Sequence, residues 1–282
     1  MKLLIGSKYG RTGNNLILLA NLYSEAIELT NVKVIHFGLP ELGIAEHPQY
    51  GELDAWAQVQ GDKWEVVKEN LVEYQNKFAG MTILRILDTK FNWGEISKGR
   101  EDLIQILRST LDFSGTANAR NVIHVRGGDV FTGSPLFRKN KIHPDYTALP
   151  LNYYSEILKE AHEPWTFLME PNTPKWYRKL LRKSFPKNHF RIGGCVKSDF
   201  EFLLSSQRIA LAVSTFSWSA AFLGSQEEIY FPSAGILSTQ IRPDIDLHFR
   251  HRNVKIFEVE KHSWSGTRWE KNWLVSSKVE LK

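Results

Sequence analysis

Val122-Ile123-His124-Val125-Arg126-Gly127-Gly128-Asp129 is a β-branched run that breaks into a pair of glycines. β-Branched side chains suit a pleated surface, and adjacent glycines free the backbone to turn sharply. The stretch therefore predicts a short strand over 122–125 that empties into a loop. On such a strand His124 and Arg126 lie two residues apart and share one face at its carboxyl end, with Asp129 within reach. Carboxyl ends of strands are where α/β folds place ligands.

Outward from this strand the chain alternates. Helical spacing over 151–161, 175–185, 199–206 and 217–224 is interleaved with strand-like runs at 166–169, 189–192, 209–213 and 229–231. Upstream, strands are expected at 3–5, 32–35 and 81–87, with helices over 13–29 and 101–111 and a mostly helical stretch over 54–77. Parallel neighbours need a long crossover, usually a helix, so this alternation predicts an α/β fold with parallel sheets. The aperiodic stretch 131–150, rich in Gly, Pro, Ser and basic residues, sets the expected division: a first half over 1–138, a second over 139–260 and a tail over 261–282.

Composition excludes several classes. With 282 residues, 42% hydrophobic and a net charge of only +5, the chain is globular rather than disordered. A single thiol, Cys195, allows no intrachain disulfide and no cysteine-rich zinc site. No apolar run approaches the roughly 18 residues of a membrane span, so a cytoplasmic protein is expected. The pI near 9.1 points mildly to anionic partners. The Lys and Arg form no stripe with interleaved aromatics, and no nucleic-acid partner is expected.

Two further segments carry candidate chemistry. Gly10-Arg11-Thr12-Gly13-Asn14-Asn15 joins the first strand to the first helix. It lacks the Lys and Ser/Thr of a P-loop and the third Gly of a dinucleotide fingerprint, yet it still offers helix-start N–H groups to an anion. Ser214-Thr215-Phe216-Ser217-Trp218 opens a helix with hydroxyl residues, which cap helices or join helix-start N–H groups in cradling a phosphate. Asp244-Ile245-Asp246 spells a metal-binding pair, but it stands beside Pro243 after the last strand–helix unit and reads as turn acids. No metal is expected.

Taken in order, Gly-x-x-Gly-Asn at 10–14, His-x-Arg-x-Gly-Asp at 124–129, Leu-Pro-Leu-x-Tyr-Tyr at 149–154, and Asp199 followed by Ser-Thr-Phe-Ser-Trp resemble the α-1,2-fucosyltransferase family. More distantly they resemble the α-1,6- and protein O-fucosyltransferases. Gly127 stands where that family usually has a second Arg, and Asn15 where it usually has Gln. The resemblance implies a GT-B fold, two Rossmann-like halves with the active site in the cleft between them and no metal or other cofactor. It implies an inverting transfer of fucose from GDP-fucose to a glycan hydroxyl. Arg126 would hold the diphosphate, with Gly13, Ser214, Thr215, Phe216 and Ser217 in the binding set. Asp199 would lie near the nucleoside and Asn14 near sugar and acceptor. His124 or Asp129 would supply a general base, and His124 stands equally as a structural orienter of the Arg126 loop. Other nucleotide sugars (xylose, rhamnose or UDP-linked), or a non-catalytic carbohydrate-binding relative, are the alternatives. Without an N-terminal span, a microbial or viral type of enzyme is expected, and the tail is expected to pack back on the first half. Among the nine Trp, Trp218 is expected to prop the phosphate turn, while Trp56, Trp64 and Trp93 are weighed as glycan platforms against core packing.

Overall fold

The computed structural model describes residues 2–6, 8, 10–29, 31–53, 65–68, 71–74, 82–86, 91–113, 120–132, 145–159, 163–250, 253–262, 264–265 and 270–282. Trp56 and Trp64 lie outside them. The chain divides into two compact units, Met1–Leu111 and Asp112–Lys282.

In the first unit, β1 (Lys2–Gly6) leads into α1 (Thr12–Glu28) and β2 (Val32–Ile35). β3 (Glu65–Lys68), β4 (Leu71–Tyr74) and β5 (Thr82–Ile86) follow, then α2 (Trp93–Ile96) and α3 (Arg100–Leu107). The sheet runs β2-β1-β5-β4-β3. β1 is parallel to both β2 and β5, whereas β4 pairs antiparallel with β3 and β5. Residues 65–74 were expected to be helical, and here the structure corrects the sequence reading. Glu-Val-Val-Lys and Leu-Val-Glu-Tyr carry three valines and a tyrosine, residue types that favour strands, so their local preference suits a hairpin once β5 offers an edge. Trp93 opens α2 and is buried in the core.

The second unit holds β6 (Asn121–Val125), α4 (Asp129–Thr132), α5 (Leu151–Lys159), β7 (Thr166–Met169), α6 (Lys175–Ser184), β8 (His189–Ile192), α7 (Val196–Leu204) and β9 (Arg208–Ala210). It continues with α8 (Thr215–Leu223), β10 (Glu228–Ser233), β11 (Val254–Val259), α9 (Lys271–Ser276) and β12 (Val279–Leu281). The sheet order is β12-β11-β10-β9-β6-β7-β8, parallel except for β12. Counted from β6, the parallel strands run third, second, first, fourth, fifth, sixth, which is the order of a dinucleotide-binding sheet. Strand order reverses between β6 and β9. β6 is buried at all five positions because it is central, whereas edge strand β8 is only partly covered.

The expected division at 138/139 is therefore corrected. β6 was assigned to the first half, but its hydrogen-bonding partners are β7 and β9, so it opens the second unit. The tail falls within the second unit. Its β12 extends the second sheet on β11, and Asn152 of α5 donates to Ser277 O at 2.6 Å.

The Leu149–Tyr154 motif is a packing device. Tyr153 is fully buried, and its hydroxyl reaches Leu211 O at 3.0 Å and Tyr230 O at 2.9 Å, pinning α5 to the residue after β9 and to the middle of β10. Tyr177 likewise donates to Leu149 O at 3.1 Å. Burial drives the Tyr153 and Tyr177 hydroxyls well above the usual phenol range, so they remain donors at any physiological pH.

Candidate functional site

β6 delivers its loop to the point where strand order reverses, the position at which open α/β sheets bind ligands outside the carboxyl ends of their strands. Arg126 is the first residue past β6 and is 5% exposed. A buried guanidinium needs partners. Its Nε and Nη2 donate to the two carboxylate oxygens of Asp129 at 3.2 and 2.9 Å. Nη1 donates to Val213 O at 3.3 Å, on the segment that follows β9. The guanidinium also lies over the Tyr146 ring, 3.8 Å from its centroid. A guanidinium has five N–H donors. The three bonds leave two of them for a ligand among the described residues.

Val213 leads into α8, whose start is the second half of the site. Ser214 is the N-cap, its Oγ accepting from Phe216 N at 3.2 Å. Ser217 Oγ donates to Ser214 O and accepts from Ala212 N, at 3.4 and 3.3 Å. These two hydroxyls shape the turn and leave the helix-start N–H dipoles as its anion-facing feature. Trp218 is fully buried, stacked with Phe222 and Phe249, with Nε1 donating to Leu247 O at 2.7 Å. It packs α8 against the segment that carries Leu247 and Phe249. Phe216 lies between two elements, its ring 5.9 Å from His124 and 5.3 Å from Phe200 of α7. His124 is 2% exposed and sits on β6 beside the start of α8.

Asp199 lies in the first turn of α7. Its carboxylate accepts from Gly194 N at 3.0 Å and from Arg191 Nη2 at 3.2 Å. A Cβ at Gly193 would stand 2.2 Å from Asp199 Oδ2, so a side chain there would push the carboxylate out of this position. Burial pushes the Asp199 carboxyl up from its ordinary value, against the downward pull of Gly194 N–H and Arg191. A carboxylate short of solvation gains from further N–H donors.

The structure brings His124, Arg126, Asp129, Ser214, Thr215, Phe216 and Ser217 together around the β6–β9 reversal, and packs the helix carrying Asp199 against α8. Gly13 and Asn14 belong to the other unit, where they open α1 after β1. There Gly10 has φ +68° and packs on Asn14, whose Nδ2 would be 2.6 Å from a Cβ. Asp244 and Asp246 are engaged by arginines: Asp244 by Arg242 at 2.6 and 2.9 Å, Asp246 by Arg250.

Three supporting residues escaped the sequence reading. Glu170 follows β7 and accepts from Gly127 N at 3.1 Å, holding the glycine loop. Thr173 packs directly on Gly127, and Tyr146 stacks on Arg126. Glu170 carried a usable signal, since it stands at the carboxyl end of the strand adjacent to β6. Tyr146, inside a long aperiodic stretch, carried none.

The profile of Glycosyl transferase family 11 matches residues 100–242, which include every second-unit residue named for the site. Two solved structures of E. coli heptosyltransferase WaaC are similar. The one with ADP is 11% identical, covering 91% of this chain and 93% of that one at a TM-score of 0.45. The one with ADP-2-deoxy-2-fluoro heptose is 10% identical, covering 90% and 92% at 0.43. No curated protein matches.

Proposed function

The chain belongs to Glycosyl transferase family 11 and is a glycosyltransferase; from that premise we propose that it moves fucose from GDP-fucose to a glycan hydroxyl, with inversion and without a metal. The observation that carries this reading is Arg126 at the β6–β9 reversal, held by Asp129 and reaching the backbone that starts α8.

As the bond to the nucleotide breaks, negative charge grows on the diphosphate. A guanidinium already desolvated and oriented, next to a helix N-terminus, stabilises that charge where it develops and needs little reorganisation. In this reading Asp129 positions Arg126, because both carboxylate oxygens are taken by the guanidinium. His124 is then the remaining candidate for the proton of the acceptor hydroxyl. Asp199 suits a base with two adjacent N–H donors, as guanine has, since such donors would relieve its shortage of solvation. Asn14 stays with the sugar and acceptor. The protein acts as a cytoplasmic enzyme in this reading.

Nothing about Gly127 favours a decayed, non-catalytic relative. Thr173 occupies the space where a side chain at that position would start. The test is a transfer and hydrolysis panel of GDP- and UDP-linked sugars, with and without a chelator, on the wild type and Arg126→Ala. Turnover of GDP-fucose that survives chelation and drops at least about a hundredfold in the variant is expected, in line with removal of one preorganised charge-stabilising donor. Turnover of UDP sugars alone, or restored only by a divalent ion, would overturn it.

A further inference from the structure

The second unit contains a cavity of about 230 Å³ whose wall includes Tyr146, Trp264, Trp273 and His262, with Glu260 and Lys261 among its polar groups. Tyr146 is the residue whose other contact is the Arg126 guanidinium. The aromatic wall is built and braced. His262 stacks on Trp273 with centroids 4.5 Å apart, and Trp264 is tilted against Trp273 at 5.7 Å. Glu270 fixes the segment by accepting from Ser265 N and Ser265 Oγ at 2.8 and 2.7 Å, and it pairs with His262 Nε2 at 2.9 Å. Trp264 Nε1 donates to Val130 O at 2.6 Å, in the short helix that begins with Asp129. Both Trp rings remain half-buried beside the cavity.

We propose that this cavity is a pyranose subsite, in which one ring of the sugar substrate lies against the Trp264–Trp273 wall. A pyranose offers a face of C–H bonds to the negative face of an aromatic ring, and hydroxyls around its edge to donors and acceptors such as Lys261 and Glu260. The sheet supports a sugar here over a base. Along its carboxyl edge, the strand before Asp199 is β8, Arg126 follows β6, and the cavity takes residues just past β10 and β11. β10 stands two strand spacings from β6, roughly 10 Å, on the side away from β8. A nucleotide sugar is linear. With its diphosphate at Arg126 and its base toward Asp199, its sugar and the acceptor fall on the β10–β11 side. This placement rests on the reading given under Proposed function.

The test uses full-length protein labelled with fluorotryptophan, in which the two signals are assigned by Trp264→Phe and Trp273→Phe. If Trp273→Phe fails to fold, the shift that His262→Ala imposes on the stacked Trp273 ring assigns it. The probes are methyl α-L-fucopyranoside, methyl β-D-galactopyranoside, sorbitol and GDP. The pyranosides are expected to move the Trp264 and Trp273 signals, with sorbitol and GDP leaving them in place. GDP-fucose moving both where GDP does not would identify the donor ring, and galactoside-only shifts the acceptor ring. Signals unmoved by either pyranoside, or moved by GDP alone, would overturn the subsite, and the transfer panel would stand or fall separately. Shifts in a protein without transfer would leave the subsite intact and remove the proposed reaction instead.

Discussion

Gly127 lies in the middle of the candidate site, and its surroundings give a steric reason for a glycine there. A Cβ there would stand 2.0 Å from Thr173 Oγ1 and 2.7 Å from Thr173 Cα. Thr173 is itself tied down, with N and Oγ1 both donating to Glu170 O at 3.0 and 2.7 Å. Gly127→Ala is therefore expected to destabilise the protein by about 1–3 kcal/mol, as overpacking does, read as a lower urea midpoint. Removing the Thr173 hydroxyl in Gly127→Ala/Thr173→Ala should recover only part of the loss, because the backbone Cα stays in place. A neutral Gly127→Ala would mean that the loop has room for a side chain after all. Arg126 and Asp129 illustrate a related point. The sequence put both at one strand end, but only the bidentate pairing separates the residue that faces the ligand from the one that holds it.

At the scale of elements, strand and helix periodicity placed β6, β7 and β8 to within one residue, and β9 and β10 to within three. β7 falls where expected because it is a short apolar run, and β8 because His189-Phe190-Arg191-Ile192 alternates polar and apolar residues, each between well-marked helices. The hairpin over β3 and β4 was missed because its strands are four residues each, too short for a period to separate from helix. β11, β12 and α9 were missed because their assignment depends on pairing with strands far away in sequence. Tyr153 of α5 was legible as part of a motif, yet its role was not, since the carbonyls its hydroxyl reaches lie 58 and 77 residues downstream. Tyr153→Phe is expected to lose about 1–2 kcal/mol, the consequence of leaving buried carbonyls without that donor. Equilibrium unfolding measures this, and an unchanged midpoint would remove the pinning role.

The first unit carries a pH dependence of its own. His36, just past β2, is half-buried with its ring 6.3 Å from that of His47, and its Nδ1 has no hydrogen-bond partner among the described residues. Burial, then the charge of His47, lowers the His36 pKa from its ordinary value of 6.5, and burial followed by Lys33 lowers that of His47. A histidine whose folded pKa is depressed binds fewer protons folded than unfolded. Its contribution is complete above 6.5 and is lost as pH falls through that value toward the lowered one. Urea midpoints taken over roughly pH 5–7 should therefore fall on acidification, and less steeply in His36→Gln. An identical slope in the variant would contradict this.

For the molecule as a whole, the second unit contains a complete sheet with the strand order of a dinucleotide-binding fold, and the family profile runs across it to residue 242. The site was legible to the extent that local motifs compose it: His124, Arg126, Asp129 and the Ser214–Ser217 turn all gather where strand order reverses. What composition could only hint at, nine Trp in a sugar-directed chain, now divides by location. Trp93 and Trp218 are core, while Trp264 and Trp273 line a cavity that shares Tyr146 with Arg126. The central claim is that Arg126 at the reversal point grips the diphosphate. Calorimetric titration of GDP into the wild type and into Arg126→Ala tests it most directly. The account predicts binding to the wild type that weakens at least about tenfold in a variant with unaltered circular dichroism, as loss of a charge-assisted contact requires. Equal GDP affinity in the two proteins would contradict it.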